Sequence, residues 1–408
     1  MADLVTIARI GHRGDGIAET ADGPVYVPFT LPGETVRISR SGKRARLAEI
    51  VTPSAERAEP PCRHFSACGG CALQMMTLDA TRRIKQRFVA DALAQQRIEC
   101  PVEPTFGAPL ASRRRTVLSA INVNRRTVLG FHQRAAQRIV DLCVCPVLRP
   151  DIANRLALLR DIAAALLPAR RKGRIRVLAS ETGLDIAVET GSGSGQSLPG
   201  ALMARLGEAG VARLSLDGDI AALFAEPVLR PAGIAVTPPP GAFIQASAEA
   251  EARMIELAGT HLAGSGAIAD LFAGIGTFSL ALARQAPVHA IDNAADAIAA
   301  LDHAARQASR LKPMTTEIRD LMQFPLSQQE LKPFDAVLFD PPFSGARAQA
   351  AALAASDVAR VVGISCNPAT FARDAGILID GGFVLERVTP VDQFVFAADT
   401  EVVGLFSR

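Results

Sequence analysis

Three cysteines crowd into ten residues of this chain, Cys62, Cys68 and Cys71, in the run CRHFSACGGC. Gly69 and Gly70 allow the backbone to turn tightly there, so thiolates can converge on one metal centre while amides point at sulfur. A fourth ligand is required, and Cys100, Cys143 and Cys145 are the candidates. Cys145 lies in Cys-Pro-Val-Leu, and a Cys-Pro pair is common beside iron–sulfur clusters. Four thiolates also suit a structural zinc, and spacing alone does not separate the two.

A second group of residues lies in the C-terminal half. The run Ile268-Ala-Asp270-Leu-Phe272-Ala-Gly274-Ile-Gly276-Thr-Phe278 reads as an apolar strand, a glycine-rich turn and a helix start. Glycines there let a nucleotide-like ligand approach the backbone, and Asp292, about twenty residues on, is placed to accept from ribose hydroxyls. Ser279 replaces the third glycine of a dinucleotide fingerprint. A ligand without a diphosphate, such as S-adenosylmethionine (SAM), fits that shortened pattern. Asp340 precedes Pro341-Pro342, which ends a strand and holds the carboxylate at a sheet edge. Cys366, in Ser-Cys-Asn-Pro-Ala-Thr, sits between a strand end and a helix start, where amide dipoles favour a thiolate. Glu401 stands just before a C-terminal strand.

The elements that must position these residues differ along the chain. Val5–Ile10, Pro24–Pro28, Thr35–Arg40 and Arg46–Val51 alternate as short strands, with turns at Gly11–Gly16 and Leu31–Glu34, and suggest a small barrel of the oligonucleotide-binding kind. Residues 53–61 read as a linker. Thr77–Gln96 is predicted as a helix capped by Thr77 or Asp79, Ile152–Leu167 as another. Hairpins are predicted at Ser112–Asn122 with Thr127–Gln133 and at Arg174–Ala179 with Leu184–Thr190, and 191–198 as a flexible loop. This middle region is α+β with antiparallel strands. From residue 241 apolar strands alternate with Ala-rich helices, the pattern of a doubly wound α/β domain with a mainly parallel sheet. The predicted division is 1–56, 57–240 and 241–408.

Composition narrows the partners. Residues 1–150 carry 22 Lys and Arg against 13 Asp and Glu, and 151–408 carry 22 against 28, so a net charge of +3 conceals a half at +9 and a half at −6. The basic half suits a polyanion. With no Trp and one Tyr, rows of stacked aromatics are not expected. No apolar run is long enough for a membrane span, and the N-terminus lacks the order of a secretory signal. A cytoplasmic protein is therefore expected, and in that compartment cysteines serve as ligands or nucleophiles more than as disulfides.

Taken in order, these motifs resemble the 5-methyluridine RNA methyltransferases, most closely the iron–sulfur 23S rRNA (uracil-5-)-methyltransferases, over almost the whole chain. The resemblance implies a TRAM domain over 4–52, including Pro28-Phe-Thr-Leu-Pro-Gly33, a four-iron four-sulfur site on Cys62, Cys68, Cys71 and Cys145, and a SAM-dependent Rossmann-like methyltransferase domain. It implies SAM contacts at Gln245 of Phe243-Ile-Gln245, at Phe272, Gly274, Gly276 and Asp292, at Asp320 near the adenine, and at Asp340. It makes Cys366 the nucleophile, Glu401 the base, Asp340 a further catalytic group and RNA the partner, rRNA ahead of tRNA. No obligate protein partner is inferred. Two departures stand out: Phe343 replaces the arginine usual after Asp-Pro-Pro, and Val395-Phe-Ala-Ala-Asp-Thr400 replaces a Pro-His-Thr-x-His segment. The competing functions are an RNA cytosine-5 methyltransferase and a non-catalytic RNA-binding protein; a nicotinamide dehydrogenase is disfavoured by Ser279.

Overall fold

The computed structural model describes residues 3–124, 126–191 and 198–408. The N-terminal unit has six strands: β1 (Asp3–Thr6), β2 (Arg9–Ile10), β3 (Asp15–Thr20), β4 (Gly23–Pro28), β5 (Thr35–Ser41) and β6 (Arg44–Thr52), in the order β1-β5-β6-β4-β3-β2. Only Ile7 and Ala8 separate β1 from β2, yet these strands lie at opposite ends of that order. The sheet must therefore curl until its edges meet, and across the closure the Ala8 N–H donates to the Ile17 carbonyl at 2.8 Å. Ile7, Val25, Val27, Val36 and Ile38 fill the interior, as the period-two alternation requires. β3 overlaps the turn expected at Gly11–Gly16 and continues through residues to which the sequence assigns no element; its Gly, Ala and acidic residues have low β-propensity, and pairing with β4 makes it a strand.

Next come α1 (Leu78–Gln95), β7 (Phe106–Gly107), β8 (Arg115–Val123), β9 (Arg126–Gly130), α2 (Pro150–Ala153), α3 (Leu156–Leu166), β10 (Lys172–Ser180), β11 (Gly183–Glu189), α4 (Gly200–Glu208), β12 (Val211–Leu216) and β13 (Asp219–Leu223). Thr77 caps α1, its hydroxyl accepting from the Ala80 N–H at 3.2 Å. The middle sheet runs β13-β12-β11-β10-β8-β9. Its pairs are antiparallel except β11 with β12. That exception corrects the expectation of purely antiparallel strands: the connection through α4 is long enough to return the chain in parallel. Of the Gly/Ser loop expected at 191–198, residues 192–197 lie outside the described residues.

The third layer holds α5 (Ala248–His261), β14 (Ile268–Leu271), α6 (Ser279–Leu282), β15 (Val288–Asp292), α7 (Ala295–Gln307), β16 (Met314–Ile318), α8 (Gln328–Leu331), β17 (Ala336–Phe339), α9 (Arg347–Ala354), β18 (Arg360–Ser365), α10 (Pro368–Asp380), β19 (Val384–Asp392) and β20 (Glu401–Ser407). The strand order is β16-β15-β14-β17-β18-β20-β19-β7. Strands β14 to β18 are parallel, and β20 enters antiparallel between β18 and β19. The chain reverses its direction of travel between β14 and β17, the switch point at which α/β sheets bind ligands beyond the strands' carboxyl ends. The helix expected after the glycine-rich turn is the short α6. β7 joins this sheet through β19, and α1 packs on α10 and β19, so residues from the first third of the chain buttress this layer. No helix among the described residues is long and apolar enough to cross a membrane.

Candidate active site

Register assembles the site. Ser365 of β18 pairs with Val402 of β20. One step further places Cys366 opposite Glu401 at the carboxyl edge of the sheet. Phe339 pairs with Gly363, which sets Asp340 beside them, one strand over. Pro341 and Pro342 stop β17 at that point. Asn367 caps α10 by accepting from the Ala369 N–H at 3.1 Å, and Pro368 opens the helix. Cys366 is thereby fixed in the short crossing between strand and helix.

A chain of amide hydrogen bonds links the acids. Gln245 Nε2 donates to Asp340 Oδ2 at 3.1 Å. Gln393 Nε2 donates to Gln245 Oε1 at 2.8 Å and to Glu401 Oε1 at 2.7 Å, while Gln393 Oε1 accepts from the Ala246 N–H at 2.6 Å. Gln245, Gln393 and Glu401 are all buried. Burial is the main reason that the Asp340 and Glu401 carboxyls are pushed up, and the nearby Asp340 raises Glu401 further. The Cys366 thiol is pushed up to about 12, first by burial and then by Glu401 and Asp340. This reverses the expected thiolate preference: burial, reinforced by two nearby acids, outweighs the amides of one helix start.

The glycine turn after β14 is built for close approach. Gly274 has φ +55° and Gly276 φ +87°, and Phe272 is also left-handed at φ +66°. A Cβ on Gly276 would lie 2.1 Å from Leu301 Cδ1, whereas one on Gly274 would meet nothing within 4 Å. Asp292 Oδ2 accepts from the Gly274 N–H at 2.9 Å and its Oδ1 from the Ala294 N–H at 2.8 Å, so the carboxylate stands at the rim of the turn. Asp320 follows β16 and accepts from the Met322 N–H at 2.9 Å and Gln323 Nε2 at 2.7 Å. The adjacent Arg319 N–H donates to the Asp292 carbonyl at 3.0 Å, which places the two acids on neighbouring strand ends. Asp270, inside β14, is a residue that sequence reasoning misses. It is fully buried, raised to about 7 by desolvation, bonded by the Ser279 hydroxyl, and its Oδ1 has no partner. An acid inside the otherwise apolar strand Ile-Ala-Asp-Leu was the available signal. An orphaned carboxylate oxygen beside a glycine turn suits a cationic ligand such as SAM.

The cysteines come from two segments. Cys62 and Cys145 are buried, and Cys68 and Cys71 are half-buried. Burial pushes the Cys71 thiol up to about 12, with Cys145, Cys68 and Cys62 contributing, and Cys145 up to about 11, with Cys62 and Cys68 contributing. The four thiols thus sense one another, and the Gly70 N–H donates to Cys68 Sγ at 3.4 Å. The donor set suits a thiophilic metal. Among the described residues, however, no group of three or more His, Cys, Asp or Glu side chains is placed to hold an ion. Cys143 is exposed, with its sulfur 3.2 Å from His64 Nε2. Cys100 bonds the Leu385 carbonyl at 3.3 Å, well away along the chain.

A cleft of about 730 Å³ joins these parts. Arg9, His12 and Arg13 of the first unit, Gly69 to Ala72 of the cysteine loop, α1, and Phe343 and Cys366 of the third layer all line it. The Ala72 and Leu73 N–H groups donate to the Phe396 carbonyl at 2.8 and 3.0 Å, so the cysteine loop holds the segment that leads into Glu401.

Residues 234–408 match the family model described as tRNA (uracil-5-)-methyltransferase. An RNA methyltransferase of Rhizobium meliloti, not further characterised, is 43% identical over 99% of this chain and 99% of its own length. The 23S rRNA (uracil(1939)-C(5))-methyltransferase of Chromohalobacter salexigens is 34% identical over 100% of this chain and 90% of its own. The chain belongs to the RNA (uracil-5-)-methyltransferase family. Among solved structures, the Pyrococcus abyssi tRNA (uracil-54, C5)-methyltransferase, in complex with S-adenosyl-L-homocysteine, superposes with TM-score 0.76 over 100% of both chains at 22% identity, a likeness of fold. The enzyme is accordingly a SAM-dependent methyltransferase, in keeping with the glycine turn and its acids.

Proposed function

We propose that this methyltransferase modifies uracil C5 in RNA, with 23S rRNA the favoured substrate, by covalent catalysis from Cys366. The observation that carries the mechanism is the end of the β18–β20 ladder at Ser365 and Val402, which leaves Cys366 and Glu401 next at the sheet edge, with Asp340 close by. SAM, when bound, supplies an electrophilic methyl group. Uracil C5 is too weak a nucleophile to take it unaided. Cys366 gives its proton to the neighbouring Asp340 carboxylate and adds to C6 as the thiolate, which converts the ring to an enolate and makes C5 reactive. After C5 has gained the methyl carbon, Glu401 removes the C5 proton, the Sγ–C6 bond breaks, and the 5,6 double bond returns. Asp340 orients the uracil edge. The target base must leave its stack to enter such a cleft. Gln245, Phe272, Gly274, Gly276, Asp292 and Asp320 would hold SAM.

Substrate choice rests on the 34% identical relative, whose name specifies 23S rRNA; Arg9, Arg13 and Arg134 of the cleft suit either RNA. The family model's description keeps tRNA as the second reading. The closed six-stranded unit is assigned as a TRAM-like barrel, residues 57–240 as the middle domain and 241–408 as the methyltransferase domain. The motif resemblance and the thiol donor set, rather than the present placement of the side chains, support assigning Cys62, Cys68, Cys71 and Cys145 to a four-iron four-sulfur cluster with a structural role. Stoichiometric zinc without broad visible absorption would replace it by zinc.

The deciding experiment is tritium release from 5-tritiated uridine RNA. Wild-type protein should release label with SAM present, and Cys366→Ala should abolish release. Glu401→Gln should trap an RNA adduct that survives denaturation. Undiminished release by Cys366→Ala rejects the covalent route. Nuclease mapping of total RNA labelled from SAM then separates rRNA from tRNA.

A further inference from the structure

An exposed aromatic ring beside the nucleophile needs an explanation. Phe343 is 62% exposed, although a Phe of this size gains substantially from burial. Its position is not loose. The Phe343 carbonyl accepts from Asn367 Nδ2 and from Thr370 Oγ1, both at 3.3 Å. Those donors flank Pro368 in the same element that carries Cys366. Arg373 Nη2 donates to the Ser344 carbonyl at 3.0 Å, and Asp374 Oδ2 accepts from the Ala346 N–H at 2.8 Å. Pro341 and Pro342 stiffen the approach from the other side. The turn 341–346 is therefore pinned along α10, and the Phe343 backbone keeps a fixed relation to Cys366.

The ring lines the large cleft, together with Tyr26 of the barrel, which is 37% exposed. Phe88 also lines the cleft but is buried. Arg9 and Arg13 stand on the barrel side, where they can meet phosphates. Two exposed rings and flanking cations in one groove are the ingredients of single-strand binding.

From this arrangement we infer that Phe343 is a stacking platform for the nucleobase next to the target uridine. The inference rests on the RNA reading above. It adds a residue that touches a neighbouring base and that sets sequence preference: a purine presents more π-surface to the ring than a pyrimidine, so adenosine beside the target binds better than uridine. An arginine at this position would serve phosphates or base edges instead, which makes the aromatic ring a determinant of this chain's own context.

The test uses the full chain with S-adenosylhomocysteine and two labelled oligoribonucleotides of ten residues. One has a single uridine flanked by adenosines, and the other is all uridine. Fluorescence anisotropy should show wild-type protein preferring the adenosine-flanked oligonucleotide. Phe343→Ala should weaken its binding roughly tenfold or more and erase the preference. Phe343→Trp should keep both. Calorimetric affinity for S-adenosylhomocysteine should stay the same in both variants, which reports an intact fold. A Phe343→Ala protein that binds both oligonucleotides and methylates RNA like wild type overturns this inference alone. A wild-type protein that binds neither oligonucleotide and methylates no RNA overturns the RNA reading and this inference together.

Discussion

The side-chain amide of Gln393 lies 2.7 Å from Glu401 Oε1, and the same nitrogen donates at 2.8 Å to Gln245 Oε1. One residue thus fixes the proposed base relative to the glutamine assigned to SAM. Its own oxygen is anchored by the Ala246 N–H. Replacing Gln393 by Leu would leave three buried polar groups without that partner, at about 1–3 kcal/mol each before relaxation. The expected result is a fall in kcat of roughly 10- to 100-fold, at or below the lower end of general acid–base contributions because Glu401 itself remains, with little change in KM for RNA. Gln393→Glu should be worse, because it adds a carboxyl to a site that already holds two. Steady-state kinetics with RNA and SAM varied separately would check both; equal effects on the two KM values and none on kcat would refute the positioning role.

Three buried acids make a pH prediction with a definite sign. Asp270, Asp340 and Glu401 are all raised, mainly by burial. The native state therefore holds protons that the unfolded chain has already lost above its ordinary carboxylate range. Stability contributed by these groups is full below about pH 4 and is lost as pH rises through their folded values, near 7 for Asp270. Below the ordinary carboxylate range the opposite group acts: Glu34, Asp141 and Asp335 are lowered, and stability from them disappears as acid protonates them. The melting temperature of the ligand-free protein should decline from pH 5.5 to pH 8.5. Added SAM, a cation at sulfur, should reduce that decline more than S-adenosylhomocysteine. A flat profile by scanning calorimetry would remove the acid cluster as its cause.

Much of this site was readable in the sequence because its residues sit at punctuation marks. Gly274 and Gly276, Pro341-Pro342 and Asn367-Pro368 each end or start an element, so local chemistry revealed where Asp340 and Cys366 must lie. The strands β14, β15, β17 and β18 and the helices between and after them were likewise legible from alternating apolar runs, whereas α5, α8 and β19 were not. Gln393 and Lys85 were not, because their partners are hundreds of residues distant in sequence or come from another element. β16, with Met314-Thr-Thr-Glu-Ile318, is half-exposed and polar, and only its pairing with β15 makes it a strand. The state of the Cys366 thiol was misread for a related reason: local helix dipoles can be inferred from sequence, whereas burial beside Glu401 depends on β20 returning to the sheet.

Lys85 offers a test of how α1 supports the catalytic layer. Its side chain is fully buried, with Nζ 2.5 Å from Asp392 Oδ1 and 3.0 Å from the Phe394 carbonyl. Burial lowers its pKa and Asp392 opposes that shift. The pair clamps both sides of Gln393. Lys85→Met would strand the Asp392 carboxylate, and breaking such a pair costs about 3–5 kcal/mol. Chemical denaturation should show that loss for Lys85→Met. The double variant with Asp392→Leu should lose less than the sum of the single variants, since no charge is then left uncompensated. Strict additivity would mean that the pair is not coupled.

The two glycines of the turn after β14 should fail in different ways. Gly276 has φ +87° and an absent Cβ that would press on Leu301 at 2.1 Å. Gly276→Ala therefore meets both backbone strain, about 1–2 kcal/mol, and overpacking, about 1–3 kcal/mol. It should lower the melting temperature. Gly274 has φ +55°, where an alanine meets the same backbone strain of about 1–2 kcal/mol, but there is open space where its Cβ would point. Gly274→Ala should therefore cost less stability than Gly276→Ala and yet weaken SAM binding, because a methyl group would occupy the space toward which the ligand must come. Calorimetric titration with SAM beside a thermal melt distinguishes the cases: Gly276→Ala loses stability first, Gly274→Ala loses affinity. If Gly274→Ala binds SAM as wild type does, that open side of the turn faces solvent and the ligand lies elsewhere along the strand ends.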